Sequence, residues 1–177
     1  MKRILLMAAV VALGVSVAAA QSEVKKSTVE GISNFAQVQS TVACAGAVTP
    51  ASVAGIKKMG FASIINLRLE TEPGAGIDAE AAAAKAAGIN FVHLPFNGGM
   101  PDPAVVDRFL KTITEPGTQP AFIHCASGNR AAAMWLIKRV LVDQWDTDRA
   151  AEEASQLGLT AQPLKTFALA YIQSHKK

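Results

Sequence analysis

Residues 120–142 read PAFIHCASGNRAAAMWLIKRVLV: a short apolar run, a cysteine, small loop residues with one glycine, an arginine, then a long apolar segment. The run Pro120–His124 has the length and the β-branched and aromatic content of a buried strand. From Arg130 to Val142 the chain is apolar nearly all round, as a buried helix is. A strand that passes through a tight loop into a helix aims successive backbone N–H groups at one centre, beside the positive end of the helix dipole. Ala126, Ser127, Gly128 and Asn129 would line such an anion cradle, and Arg130 would close it with a planar fork suited to an oxyanion. Cys125 lies beneath the cradle, an environment that favours the thiolate, the nucleophilic form. The strand pleat turns His124 away from Cys125, and its expected role is to hydrogen-bond the backbone of the loop. The plainer alternative is a buried structural cysteine followed by an ordinary Gly-Asn turn.

Outward from this stretch, strand-length apolar runs alternate with Ala-rich stretches of helix length. Strands are expected at Thr41–Ala45, Ser63–Leu67 and Asn90–Leu94 besides Pro120–His124, with turns marked by Gly60, Gly88 and Gly117. Thr49 should cap a helix to Met59, with Pro50 at its first position. Asp78 opens a helix over IDAEAAAAKAAG, residues 77–88, stopped by Gly88. Further helices are expected from Asp102 or Pro103 to Ile113, from Arg130 to Val142, over Thr147–Leu157 and over Pro163–Ser174. This alternation predicts a single α/β domain with a mostly parallel sheet and helices on both faces.

The N-terminus reads differently. Lys2-Arg3, an uncharged apolar stretch and Ala18-Ala19-Ala20 are the three parts of a secretory leader, with cleavage near Ala20. The organisation expected is a signal peptide over 1–20, a polar N-terminal arm over 21–39, and the α/β domain over 40–177. Such a chain would work as a secreted or periplasmic protein with no stable membrane anchor after cleavage. The alternative, an uncleaved anchor, has only the barely spanning run Ile4–Ala20 to support it.

The chain has 177 residues, 50 % hydrophobic and 18 % charged, which suits one domain with a real core and excludes a disordered tail or a disulfide scaffold. The net charge is +3, but removing Lys2 and Arg3 with the leader leaves 15 basic against 14 acidic side chains. A nucleic-acid partner therefore has no electrostatic support. Two cysteines and three histidines without paired ligand spacing give no metal site. No dinucleotide, Walker or nucleophile-elbow motif is present, so no cofactor is implied. Arg68 falls at the carboxyl edge of the sheet, where open α/β folds place ligands. It would assist a small anionic or phosphorylated substrate, or else pair with Glu70 or Glu72. Leu69–Gly76 reads as a mobile acidic loop. His93 is expected to be a satisfied strand residue, His175 a solvated one, and Trp135 a core residue. Cys44 would be a buried small hydrophobe, or a partner that pairs with Cys125 if their Cα atoms come within about 7 Å.

The run HCASGNR (124–130), with Ile64-Ile65-Asn66-Leu67-Arg68-Leu69-Glu70 and Phe91-Val92-His93-Leu94-Pro95, resembles the phosphatase-like domain of bacterial beta-lactamase-hydrolase-like proteins. These belong to the dual-specificity and tyrosine phosphatase superfamily, and the resemblance runs from about Phe35 to Tyr171. It implies that Cys125 attacks phosphorus to form a cysteinyl-phosphate, that Arg130 and the loop amides hold the phosphoryl oxygens, and that His124 tunes the thiolate. Three departures stand out. Four residues separate Cys125 from Arg130, where the superfamily has five, and four is the spacing of rhodanese-type sulfurtransferases. Ala131 stands where phosphatases place a Ser or Thr that stabilises the departing thiolate, leaving Ser127 as the nearest hydroxyl. Asn97 occupies a loop that commonly supplies the general acid; an amide cannot donate that proton. Asp102 is the only carboxyl in that loop, as a candidate acid over Cys125 or as an ordinary helix N-cap.

Three functions remain open on these residues. The first is an exported, metal-independent hydrolase of phosphate monoesters. The second is a sulfurtransferase working through a persulfide on Cys125. The third is a non-catalytic module that binds an anion in the cradle.

Overall fold

Four of the expected strands form the parallel part of one sheet: β3 (Val42–Ala45), β4 (Ser63–Asn66), β5 (Asn90–His93) and β6 (Ala121–His124). Two more, β1 (Val24–Lys26) and β2 (Ala36–Val38), extend it antiparallel on one edge, giving the order β1-β2-β3-β6-β4-β5. The structure is a computed structural model and describes residues 23–38 and 40–176; the expected leader lies outside the described residues. The single-domain, mostly parallel α/β architecture is as expected.

Strand β6 sits at the middle of the sheet, and its four residues are all 0 % exposed. The pleat divides its side chains between two cores. Ala121 and Ile123 join Cys44, Ile65 and residues of α3 (Pro103–Thr114), α4 (Asn129–Leu141), α5 (Thr147–Gln156) and α6 (Gln162–His175). Phe122 joins the opposite core with Phe61, Ile64 and residues of α1 (Val53–Lys58) and α2 (Ile77–Ala87). Helix α4 is buried almost throughout, including Met134, Trp135 and Leu136, because it lies between the sheet and α5 and α6. Its polar partners are arranged at one end: Trp135 donates Nε1–H to Glu153 Oε1 at 2.6 Å, and Arg139 lies over the rings of Trp135 and Trp145.

Two local expectations change. The N-terminal segment read as an arm carries β1 and β2. These are three-residue strands with too little periodicity to recognise, and they are specified by their pairing, Ala36 opposite Cys44 and Val38 opposite Val42. Thr49 does not cap a helix through its side chain. The chain instead makes a 3-10 turn at Pro50–Ser52 before α1, and the Ser52 hydroxyl donates to Thr49 O at 2.8 Å. Among the described residues no helix is long and apolar enough to cross a membrane.

Candidate active site

The loop that follows β6 is tied down from behind. Ala47 N–H donates to Ala126 O at 3.1 Å, and Asn34 Nδ2 donates to Ser127 O at 3.1 Å. In a planar trans peptide the N–H lies opposite the C=O, so turning these carbonyls outward turns the N–H groups of Ser127 and Gly128 inward. Gly128 N–H indeed donates to Cys125 Sγ at 3.1 Å. The chain reverses at Gly128 with φ +96°, a left-handed conformation that a side chain would strain. Helix α4 starts at the next residue, so its N-terminus faces the same centre.

Arg130 is built in rather than free. Its Nη1 reaches Glu72 Oε1 at 2.6 Å, Leu67 O at 3.0 Å and Phe96 O at 3.0 Å, and its Nη2 reaches Glu72 Oε2 at 2.8 Å. The end-on fork is thus taken by one carboxylate. That guanidinium lies beside Cys125: burial lowers the Arg130 pKa, but Glu72 and the neighbouring Cys125 outweigh it and raise it overall. Burial raises the Glu72 carboxyl, but hydrogen bonds from Arg130 and Leu69 N–H, with the charge of Arg130, bring it down to about 2.

Arg68 comes to the same edge but is fully engaged. It is 4 % exposed and donates to Glu72 Oε2 at 3.3 Å, Gly74 O at 2.8 Å and Pro73 O at 2.6 Å. Of the two roles expected for it, the structure places it in the ion pair. Leu69–Gly76, read as a mobile acidic loop, is instead fastened through Glu72, which also accepts from Leu69 N–H at 2.9 Å.

His124 corrects another expectation. Its side chain does not bond the loop backbone; it lies on the opposite face of the sheet, with Nε2 2.8 Å from Glu80 Oε1. The two atoms are close without lining up as a hydrogen bond, and His124 Nδ1 has no hydrogen-bond partner among the described residues. The other Glu80 oxygen accepts from Asn66 Nδ2 at 2.9 Å.

The remaining candidates are spread around this centre. Asp102 caps α3: its Oδ1 accepts Ala104 N–H at 2.9 Å, and the residue is exposed. Asn97 Oδ1 accepts Gly99 N–H at 2.9 Å, which shapes the loop that passes along Arg130. Ala131 is fully buried and brings no hydroxyl. Ser127 is exposed, its Oγ accepts from Asn129 Nδ2 at 3.3 Å, and it faces a groove of about 730 Å³ shared with Lys26, Asn34 and Thr160. Asn129 Oδ1 accepts from Thr160 N–H at 2.7 Å and Ala161 N–H at 2.7 Å, fixing the loop to the start of α6. His93 is satisfied on its strand, with Nε2 2.8 Å from Arg68 O. Cys44 and Cys125 are both free thiols; burial, then Cys125 and Glu153, push the Cys44 pKa well up. Among the described residues no cluster of three or more His, Cys, Asp or Glu could hold a metal.

Sequence reasoning gave Glu72 only as a partner for Arg68 and passed over Glu80, Asn34 and the capping role of Asn129. Glu72 carried no signal beyond being a nearby carboxylate, because in a non-helical loop a spacing of four does not by itself make neighbours. Glu80 carried a weak one, as the single long charged side chain in the first turns of an Ala-rich helix.

The family described as the phosphatase-like domain of beta-lactamase hydrolase-like protein matches residues 34–142. The beta-lactamase hydrolase-like protein of Agrobacterium fabrum is 31 % identical over 107 residues, 59 % of this chain but 25 % of that protein. This chain therefore spans about a quarter of that relative's length. Among solved structures, the DUF442 protein of Shewanella putrefaciens superposes with a TM-score of 0.70 at 17 % identity, over 84 % of this chain and 97 % of that one. A cysteine-to-serine variant of P. aeruginosa TpbA in complex with pTyr gives 0.65 at 19 % identity, over 90 % and 93 %. At these identities the likeness is one of fold, and it is the fold of the cysteine phosphatases. With a family match over more than half its length and that fold beneath it, the chain belongs to the phosphatase-like domain family of the beta-lactamase hydrolase-like proteins.

Proposed function

We propose that this chain is an exported, cysteine-dependent phosphatase that hydrolyses small phosphate monoesters. The observation that carries the reading is the Arg130 guanidinium fixed beside Cys125 at a helix N-terminus, with the Gly128 N–H turned to the same sulfur. A phosphoryl group offers three oxygens to those donors, and charge that grows on them in the transition state is what such a preorganised set stabilises. The Cys125 thiolate attacks phosphorus, the ester P–O bond breaks, and the leaving oxygen departs with the electron pair and takes a proton from water. Water then attacks the cysteinyl-phosphate, releasing orthophosphate and restoring the sulfur. With Asp102 occupied as a cap, leaving groups that need no acid are the best substrates, and aryl phosphates are of that kind. The pTyr bound by the TpbA variant points to the same class.

The test is aryl phosphate hydrolysis by the reduced protein beside Cys125→Ser. Phosphate release should vanish in the variant while orthophosphate binding remains. A second reading, sulfur transfer, rests on the four-residue spacing from Cys125 to Arg130. Thiocyanate formation from thiosulfate and cyanide that is lost in Cys125→Ser, with no phosphate release, would replace the first reading. Orthophosphate binding without either turnover would leave an anion-binding module. Export is tested by the N-terminus of the mature protein, expected just after Ala20 in the periplasmic fraction.

A further inference from the structure

We infer that Glu80 is a positioning residue: one buried carboxylate that clamps the ends of two strands and so sets Cys125 against Arg130. The inference rests on the phosphatase reading only for its turnover readout. Asn66 and His124 are cross-strand partners in the parallel pair β4–β6. Glu80, 1 % exposed, stands over that pair from α2, with Oε2 2.9 Å from Asn66 Nδ2 and Oε1 2.8 Å from His124 Nε2. Asn66 Oδ1 in turn accepts Arg68 N–H at 2.7 Å, and Leu67 N–H donates to His124 O at 2.9 Å.

One residue beyond the clamped pair, on the other face of the pleat, lie the two elements of the anion site. After Asn66 comes Leu67, whose carbonyl holds Arg130 Nη1 at 3.0 Å. After His124 comes Cys125. A displacement of either clamped residue passes directly to its neighbour through rigid peptide units. The two branches separate chemically. The His124 branch bears on the nucleophile, and the Asn66 branch bears on the arginine and hence on phosphoryl binding.

Stability alone is a poor reason for this arrangement. A buried carboxylate among polar partners recovers little beyond its desolvation, and well-packed apolar residues of similar volume often do as well or better. Ala84, Ile64 and Phe122 belong to the apolar core on that face of the sheet.

The test compares Glu80→Gln, Glu80→Ala, His124→Gln and the double variant Glu80→Gln/His124→Gln, in which a neutral pair fills a similar volume. Three readouts are used: kcat and KM for an aryl phosphate, the alkylation rate of Cys125 by iodoacetamide, and orthophosphate affinity. Glu80→Gln keeps an acceptor for Asn66 and removes the charge facing His124. It should lower kcat about tenfold and change Cys125 alkylation, with KM and orthophosphate affinity within threefold of wild type. Glu80→Ala cuts both branches and should weaken orthophosphate binding as well. The double variant should be no slower than His124→Gln alone, because the Glu80 effect runs through that ring. A folded Glu80→Gln with unchanged kcat and unchanged alkylation would overturn the inference, as would full additivity in the double variant. If wild-type protein hydrolyses no aryl phosphate, the phosphatase reading fails, and the alkylation and binding readouts still decide the role of Glu80.

Discussion

Glu72 and Arg130, 58 residues apart in the chain, meet as a two-pronged ion pair, Oε1 on Nη1 at 2.6 Å and Oε2 on Nη2 at 2.8 Å. The pair fixes the plane of the guanidinium before any ligand arrives. An arginine on a surface loop would lose rotamer freedom on binding; here that ordering is part of folding.

Glu72→Gln should therefore act on catalysis more than on the fold. Releasing a group that must be placed within about an ångström lowers kcat/KM by roughly 10- to 100-fold. The pH dependence has a definite sign. The folded carboxyl titrates at about 2 against an ordinary 4.5, so its contribution to stability is complete above about pH 4.5 and is lost as the pH falls through about 2. Thermal midpoints of wild type and Glu72→Gln should differ by a constant amount near neutrality and converge in acid. A gap that persists below pH 2 would mean that the pair is not what stabilises the loop.

Gly46 predicts how tightly the anion loop is pressed against the sheet. A Cβ there would come 2.4 Å from Ser33 Oγ, 3.0 Å from Ala126 O and 3.2 Å from Ser33 O. The serine hydroxyl can swing aside; the two carbonyls cannot without moving the backbone that shapes the cradle. Gly46→Ala should cost about 1–3 kcal/mol, the range for overpacking, and weaken orthophosphate binding in calorimetric titration. Unchanged phosphate affinity would show that the back of the loop yields without disturbing its inner face.

Asp102 separates a cap from a general acid. Asparagine caps a helix about as well as aspartate but donates no catalytic proton. Asp102→Asn should keep both stability and kcat for an aryl phosphate, whereas Asp102→Ala should lose about 1 kcal/mol in urea unfolding, as a lost N-cap does. A fall in kcat that appears in both Asp102→Asn and Asp102→Ala and grows with the basicity of the leaving group would make Asp102 the acid.

The sequence was most legible where one local pattern decides the outcome. The runs SIIN and AFIH are strands whose side chains are all buried, NFVH is a half-buried edge strand beside them, and α3 begins at an Asp-Pro that is a sound start signal by itself. The segment HCASGNR announces a loop at a helix N-terminus through its glycine and the apolar run that follows. Contacts between distant segments were much less legible. Strands β1 and β2 exist because β3 offers an edge, and three residues apiece carry no period of their own. His124 was placed on the correct face by its alternation with Cys125, yet its partner comes from α2, 44 positions back in the sequence. Arg130 was read as an anion ligand, while Glu72, which holds its guanidinium, belongs to a loop whose composition suggested mobility.

Asn129 offers a last separation, between holding the loop and charging it. Its Oδ1 accepts Thr160 N–H and Ala161 N–H, both at 2.7 Å, at the N-terminus of α6. Asn129→Ala leaves both donors without that acceptor and should cost about 1–3 kcal/mol, the penalty for unpaired polar groups. Asn129→Asp restores an acceptor at a helix N-terminus, where negative charge is favourable, so its thermal midpoint should stay near that of wild type. The same carboxylate brings a negative charge to the rim of a loop proposed to bind a dianion. At about 1 kcal/mol for a unit pair in a well-solvated setting, KM for an aryl phosphate should rise roughly three- to tenfold, and the rise should shrink in high salt. Asn129→Ala should show the reverse pattern, with a lowered midpoint and a KM closer to wild type. If Asp and Ala raise KM equally, the residue acts through loop geometry alone and the electrostatic reading of the rim is wrong.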